Sequence, residues 1–199
     1  DHYLPISAGG ALPETEEGSI VSIADKLDTI VGFFGVNLIP SGTADPYALR
    51  RQAIGIMNII LNKTYVLSID TLVDCSLDIL GEKLMKSPGE VKADVLDFFK
   101  SRFENQMTAQ GFSYDVVNAV LATNDWDLCR CYNKIKAMES FKTDPVFLPF
   151  ATTFKRVENI IKDFSGGTID PTLFETDAES VLYATFTGIR DKALSRIDQ

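Results

Sequence analysis

Asp25 and Asp28 stand one helical turn apart, with Gly32 one turn further along the same stripe. Two carboxylates at that spacing beside a residue without a side chain form a small acidic notch. A metal ion, a base or an arginine could sit there. Further on, Asp45-Pro46 introduces the adjacent pair Arg50 and Arg51. Neighbouring guanidiniums on a helix point about 100° apart, so the two cannot share one target. One is expected to reach inward to Asp25 or Asp28 as a buried bidentate lock between two helices, leaving the other for a phosphate or a partner chain. Gly55, Asn58 and Asn62 continue the Arg51 stripe as a narrow polar line on an otherwise apolar helix.

The elements that must position these groups read as helix after helix. Ile20, Ile23, Leu27, Ile30, Val31 and Phe34 recur at steps of three and four, which predicts one helix face turned toward a core and ending near Gly35. Asp45 and Pro46 predict a second helix from Pro46 to about Asn62, since aspartate accepts from free amides and proline lacks only an amide that has no partner. Tyr65-Val66-Leu67 reads as a connector to a third helix over 68–85, with Ile69, Leu72, Val73, Ser76, Ile79 and Leu80 on one side. Ser87-Pro88-Gly89-Glu90 has the pattern of a capping box and opens a fourth helix. That helix carries Val91, Val95, Phe98, Phe99, Phe103 and Met107 inward and closes at Gly111.

Ser113 is expected to cap a short fifth helix. A sixth begins near 125–127 with Leu128, Tyr132, Ile135 and Met138 inward. Asp144-Pro145 starts a seventh with an apolar stripe of Phe147, Phe150, Phe154, Val157, Ile161 and Phe164, and a last helix runs from about Asp177 to Ile197. No fixed-period repeat is present. The fold class is therefore all-α, an irregular helical bundle.

Composition limits the chemistry. A chain of 199 residues with a formal net charge of -9 is no general nucleic-acid coat, because phosphate neutralisation needs clustered Lys and Arg. Its basic part runs through Arg130, Lys134, Lys136, Lys142, Lys155, Arg156 and Lys162, read first as solvated helix faces balanced by Glu139 and Glu158. Three cysteines, of which Cys129 and Cys131 are close, and a sole histidine at His2 give no zinc ligand set and fit a reducing compartment. No apolar run reaches membrane-spanning length, so a soluble, cytoplasmic protein is expected. A glycine-rich phosphate loop, a Gly-x-Ser-x-Gly elbow and a histidine base beside any Ser or Cys are all missing. The chain opens at Asp1 and reads as an internal piece of a longer protein.

Two dense motifs, Ala24-Asp25-Lys26-Leu27-Asp28-Thr29 with Gly32 and Phe34, then Asp45-Pro46-Tyr47-Ala48-Leu49-Arg50-Arg51, resemble the beta subunit of the two-subunit bacterial glycyl-tRNA synthetase. His2-Tyr3-Leu4-Pro5, Ala8-Gly9 and Leu12-Pro13 resemble the family's preceding segment, and Lys155-Arg156-Val157-Glu158-Asn159-Ile160 is similar to a later one. Ile6 and Gly10 depart from the pattern, standing where the family usually has an arginine and an aspartate.

The resemblance implies the closing part of an HD-like helical domain over residues 1–112 and a helical extension over 113–199, leading toward an anticodon-binding domain. It also implies a share in ATP-dependent charging of glycine tRNA, with the alpha subunit and that tRNA as partners and neither DNA nor membrane. Adenylate formation would lie in the alpha subunit, so ATP and Mg2+ belong to the holoenzyme and no cofactor or catalytic residue is expected here. Arg50, Arg51, Lys155 and Arg156 are the candidates for contact with tRNA or a partner. Asp25 matches the last metal ligand of HD phosphohydrolases, but their histidines are missing, so Asp25 and Asp28 are read as structural acceptors. A metal-dependent phosphohydrolase of that superfamily and a protein-only scaffold stand as alternatives.

Overall fold

The computed structural model describes residues 1–7, 9–162, 164 and 166–197, the side chains at 191, 196 and 197 excepted. Ala8 of the leading motif lies outside the described residues. Eight α-helices follow one another with no strand among the described residues: α1 Glu16–Gly35, α2 Leu49–Lys63, α3 Ile69–Leu80, α4 Pro88–Ala109, α5 Tyr114–Leu121, α6 Leu128–Lys142, α7 Phe147–Ile161 and α8 Asp177–Ile197. The expected all-α class is what the chain adopts.

Compactness divides the chain between Leu148 and Pro149. In the first unit, α4 lies against α1, α2 and α3, and α6 packs on α2 and α5. Phe34 of α1, Leu49, Ile56 and Ile60 of α2, and Phe99 and Phe103 of α4 are fully buried in one cluster that extends to Val117 and Ile135. Each fully buried side chain of this kind contributes about 1.5–3 kcal/mol relative to leaving it in water.

Helix ends follow local chemistry. Thr15 caps α1 by accepting from the Gly18 amide at 3.0 Å. The expected capping box at Ser87 is formed, with Glu90 reaching back to the Ser87 amide at 3.1 Å. α3 stops earlier than the expected Met85, because Gly81 turns the chain at φ 51° into a short 3-10 turn, Gly81–Lys83. That turn brings Leu84 onto α1 where Gly35 has no side chain, and the Gly35 carbonyl accepts from the Met85 amide at 2.8 Å. Ser113 occupies the N-cap of α5 but donates its hydroxyl to Glu139 at 2.6 Å instead of accepting from the helix.

α2 departs from expectation more sharply. It begins at Leu49, three residues past Pro46, with Ala48 in the left-handed region at φ 56°. Asp45 still serves the first amides, accepting from Leu49 at 2.8 Å and Arg50 at 3.0 Å across an intervening turn. The Asp-Pro signal was right about the acceptor and wrong about the first helical residue.

Several apolar positions assigned inward are outside. Ile20 is 61% exposed and Ile79 78% exposed, while Met138 lies on the surface of α6. Cys131, one turn from Ile135 in the pattern, takes a fully buried place instead.

In the second unit, from Pro149 onward, the expected stripe forms but is not covered: Phe150, Phe154, Val157 and Ile161 are exposed along α7. Phe150 and Phe154 stack on one another at 6.4 Å. Asp170 accepts from Thr172 at 2.9 Å to open a 3-10 turn, Pro171–Leu173. Thr176 and Glu179 then exchange amide contacts that start α8. None of the described helices is long and apolar enough to cross a membrane.

Candidate functional site

Three of the four motif segments, the leading one and the two dense ones, meet. A cleft of about 410 Å3 is lined by Tyr3, Pro5 and Ile6 of the leading segment, Asp25, Lys26 and Thr29 of α1, and Tyr47, Ala48, Arg51 and Gln52 at the start of α2. Asp25 and Arg51 both line this cleft. They do not form the expected lock. No ion pair joins Asp25 or Asp28 to Arg50 or Arg51 among the described residues. Both carboxylates are exposed and so is Arg51, so water solvates each charge and a lock would gain little.

Arg50 turns elsewhere, donating from Nη2 to the Gly42 carbonyl at 2.7 Å. Its charge acts on Arg102 of α4, whose proton affinity is lowered first by burial and then by Arg50. Arg102 lies over the Phe98 ring at 5.1 Å, and its Nε is buried without a hydrogen-bond partner. The adjacent arginines therefore diverge: Arg51 belongs to the cleft and Arg50 to the edge of α4.

The residue that organises the cleft is Lys26. Its side chain passes inward and is 6% exposed. The ammonium donates to Ser22 Oγ at 2.8 Å and to the Leu4 carbonyl at 3.2 Å, with the Tyr3 and His2 carbonyls at 3.5 Å. Ser22 also donates to the Leu4 carbonyl, at 2.6 Å. Burial lowers the Lys26 proton affinity, partly offset by the Asp25 charge. Gly55 of α2 makes room for this arrangement, since a Cβ there would meet Pro5 Cγ at 3.2 Å and Lys26 Cε at 3.5 Å. Asp1 adds a second tie by accepting from the Glu14 and Thr15 amides at 3.2 Å.

The basic stretch separates into paired and unpaired groups. Asp125 receives Arg130 Nε at 2.5 Å, Arg130 Nη2 at 2.6 Å and Lys134 at 2.8 Å. The Arg130 guanidinium is the main reason its carboxyl is held far below the usual range. Lys142 pairs with Asp115 at 2.8 Å. The direct ion-pair partners are Asp125 and Asp115, while Glu139 accepts from Ser113 and also feels the charge of Lys142. Lys155 and Arg156 on α7 are exposed and make no ion pair among the described residues.

The family model described as glycyl-tRNA synthetase beta subunit matches residues 1–122, which contain the whole cleft. The chain belongs to that family. Its relatives include the glycine-tRNA ligase beta subunit of Syntrophus aciditrophicus, 53% identical over 199 residues, all of this chain and 29% of the relative. The subunit of the same name from Syntrophotalea carbinolica is 51% identical over 189 residues, 95% of this chain and 28% of the relative. That of Geotalea daltonii is 50% identical over 199 residues, again all of this chain and 29% of the relative. The chain therefore spans less than a third of the length of the curated relatives it matches.

The family implies ATP and Mg2+ for the complete enzyme. The residues here do not make a site for the metal: among the described residues no three His, Cys, Asp or Glu side chains are grouped to hold one. Asp25 and Asp28 stand as two solvated carboxylates without a third ligand. Cys131 points to the Asp125 carbonyl at 3.1 Å, and burial pushes its thiol up to about 11. That thiol is inert as a nucleophile at neutral pH.

Proposed function

We propose that this chain is the part of a glycine-tRNA ligase beta subunit that presents an RNA-contacting cleft. It supports ATP-dependent charging of glycine tRNA by binding RNA and by assembly with the alpha subunit in the cytoplasm. The observation that carries this reading is the convergence of the leading segment and the two dense motifs on one cleft, which Arg51 lines together with Tyr3 and Tyr47. A guanidinium next to aromatic faces suits a phosphate with an adjoining unstacked base.

Each group in the cleft has a part in this proposal. Arg51 meets a phosphate, and Tyr3 and Tyr47 offer faces for a base. Asp25 accepts from a ribose hydroxyl or base amino group. Lys26 holds the leading segment so that Tyr3 stands at the cleft. Arg50 extends the contact to a further phosphate or to the partner subunit, and Lys155 and Arg156 of the second unit are separate candidates for contact with tRNA or that partner. ATP, Mg2+ and glycyl-adenylate belong to the alpha subunit, and this chain contributes no bond-making residue. Residues 1–112 represent the closing part of the HD-like domain and 113–199 the extension beyond it.

Aminoacylation by the complete two-subunit enzyme tests this reading. Arg51→Glu is expected to raise KM for tRNA while leaving KM for glycine and ATP unchanged. Unchanged KM for all three substrates would refute the RNA assignment of the cleft.

A further inference from the structure

Ile20 of α1 and Ile79 of α3 hold positions in apolar stripes whose other members are buried or half-buried, yet both are open to solvent. They line a single groove of about 780 Å3 between α1 and α3, together with Leu27, Leu72 and, from the connecting segment, Val66. Two independent helix patterns therefore leave their uncovered residues at the same place. Val66 is 85% exposed, so the connector adds apolar surface without roofing the groove. Contiguous exposed apolar surface of this kind marks a contact site.

Charge identifies the occupant. Asp25 and Asp28 are the charged residues lining the groove, and no Lys, Arg or His lines it. Neither carboxylate has an ion-pair partner among the described residues. They stand one turn apart, the repeat at which cations recur along one side of a helix. An anionic lipid or a phosphate backbone would be repelled by this rim. We propose that the α1–α3 groove docks a basic amphipathic helix of a partner chain, its apolar stripe on the floor and its Lys or Arg residues on Asp25 and Asp28. The groove shares Asp25 with the RNA cleft, whereas Asp28, Ile79 and Val66 line the groove and not that cleft, so variants at these three positions separate the two readings.

Cys75 makes the groove measurable. It lines the groove and is exposed, whereas Cys129 is half-buried and Cys131 fully buried. The probe is a fluorescein-labelled synthetic peptide of about 16 residues, long enough to form a helix, with leucine at i, i+3, i+4 and i+7 and lysine elsewhere. The whole chain is expected to bind it saturably, with Cys75 alkylation slowed in proportion to occupancy. Asp25→Asn with Asp28→Asn weakens binding and flattens its salt dependence. Ile79→Glu or Val66→Glu, both at exposed positions that folding tolerates, abolishes it. The same peptide with glutamate for lysine fails to bind.

Equal binding of the lysine and glutamate peptides would overturn the proposal, as would full binding by the Ile79→Glu and Val66→Glu variants. Protection of Cys75 that rises with the concentration of the chain alone would name a second copy as the occupant and overturn it too.

Discussion

Lys26 and Leu4 are joined at 3.2 Å, ammonium to carbonyl, across 22 residues of sequence. This contact, with the Ser22 hydroxyl on the same carbonyl, is what sets the leading segment against α1 and so forms one wall of the cleft. The family's aspartates flank a lysine whose work is internal.

Replacing Lys26 with methionine keeps the length and apolar stem but removes the donors. The Leu4 and Tyr3 carbonyls then lose a buried partner, an expected cost of about 1–3 kcal/mol. Urea denaturation measures that loss. Hydrogen exchange adds the location: amides of residues 1–7 are expected to exchange faster, while those of α4 keep their protection. Unchanged exchange in the leading segment would show that Lys26 does not hold it.

Gly55→Val presses on the same joint from the other side. Its Cβ would stand 3.2 Å from Pro5 Cγ and 3.4 Å from Pro5 Cδ, a ring that cannot fold away. Crowding of this kind costs about 1–3 kcal/mol. The variant is expected to lower the melting temperature and to expose the leading segment to limited proteolysis.

Asp45→Ala removes both oxygens that serve the Leu49 and Arg50 amides. A lost helix cap costs about 0.5–2 kcal/mol, and Asp45→Asn should recover only part of it, because its one acceptor oxygen can serve only one of the two amides. Because α2 also carries Arg51, the alanine variant is expected to weaken RNA binding as well as stability. The two urea midpoints and one titration test this together.

Asp125 gives the chain a defined acid response. Its folded proton affinity is depressed by Arg130 first and Lys134 second, from an ordinary value of 3.8. A depressed carboxylate contributes stability that is present above 3.8 and lost as pH falls below it toward the folded value. Asp125→Asn is therefore expected to lower the urea midpoint at neutral pH and to flatten its fall on acidification. Parallel pH profiles for the two proteins would contradict this.

These details show what the residue pattern could and could not convey. Helical periodicity located Ile30, Phe34, Val95 and Phe99 correctly, because each is covered by helices of the same bundle. It misplaced Ile20 and Ile79, since periodicity marks an apolar face and does not say whether this chain supplies the cover. The capping box at Ser87 was readable from four adjacent residues, whereas the turn before α2 depends on Ala48 adopting a left-handed conformation that no propensity favours. Lys26 was missed for a related reason. A lysine between two aspartates reads as a surface charge, and only the distant Leu4 carbonyl makes its burial possible.

The Arg50 and Arg51 side chains diverge, but neither takes the expected inward partner: Arg50 bonds the exposed Gly42 carbonyl rather than Asp25 or Asp28. An exposed carboxylate gains little from an arginine, whereas a loop carbonyl beside the helix start is close at hand.

The central claim is that these residues contact glycine tRNA, and fluorescence anisotropy of the chain against glycine tRNA and one non-cognate tRNA, across a salt series, tests it most directly. Saturable binding that prefers the glycine tRNA and weakens with salt is the predicted result, with Arg51→Glu and the paired Lys155→Glu, Arg156→Glu variants each lowering the salt slope. No binding at low salt, or equal binding by wild type and all of these variants, would contradict the account.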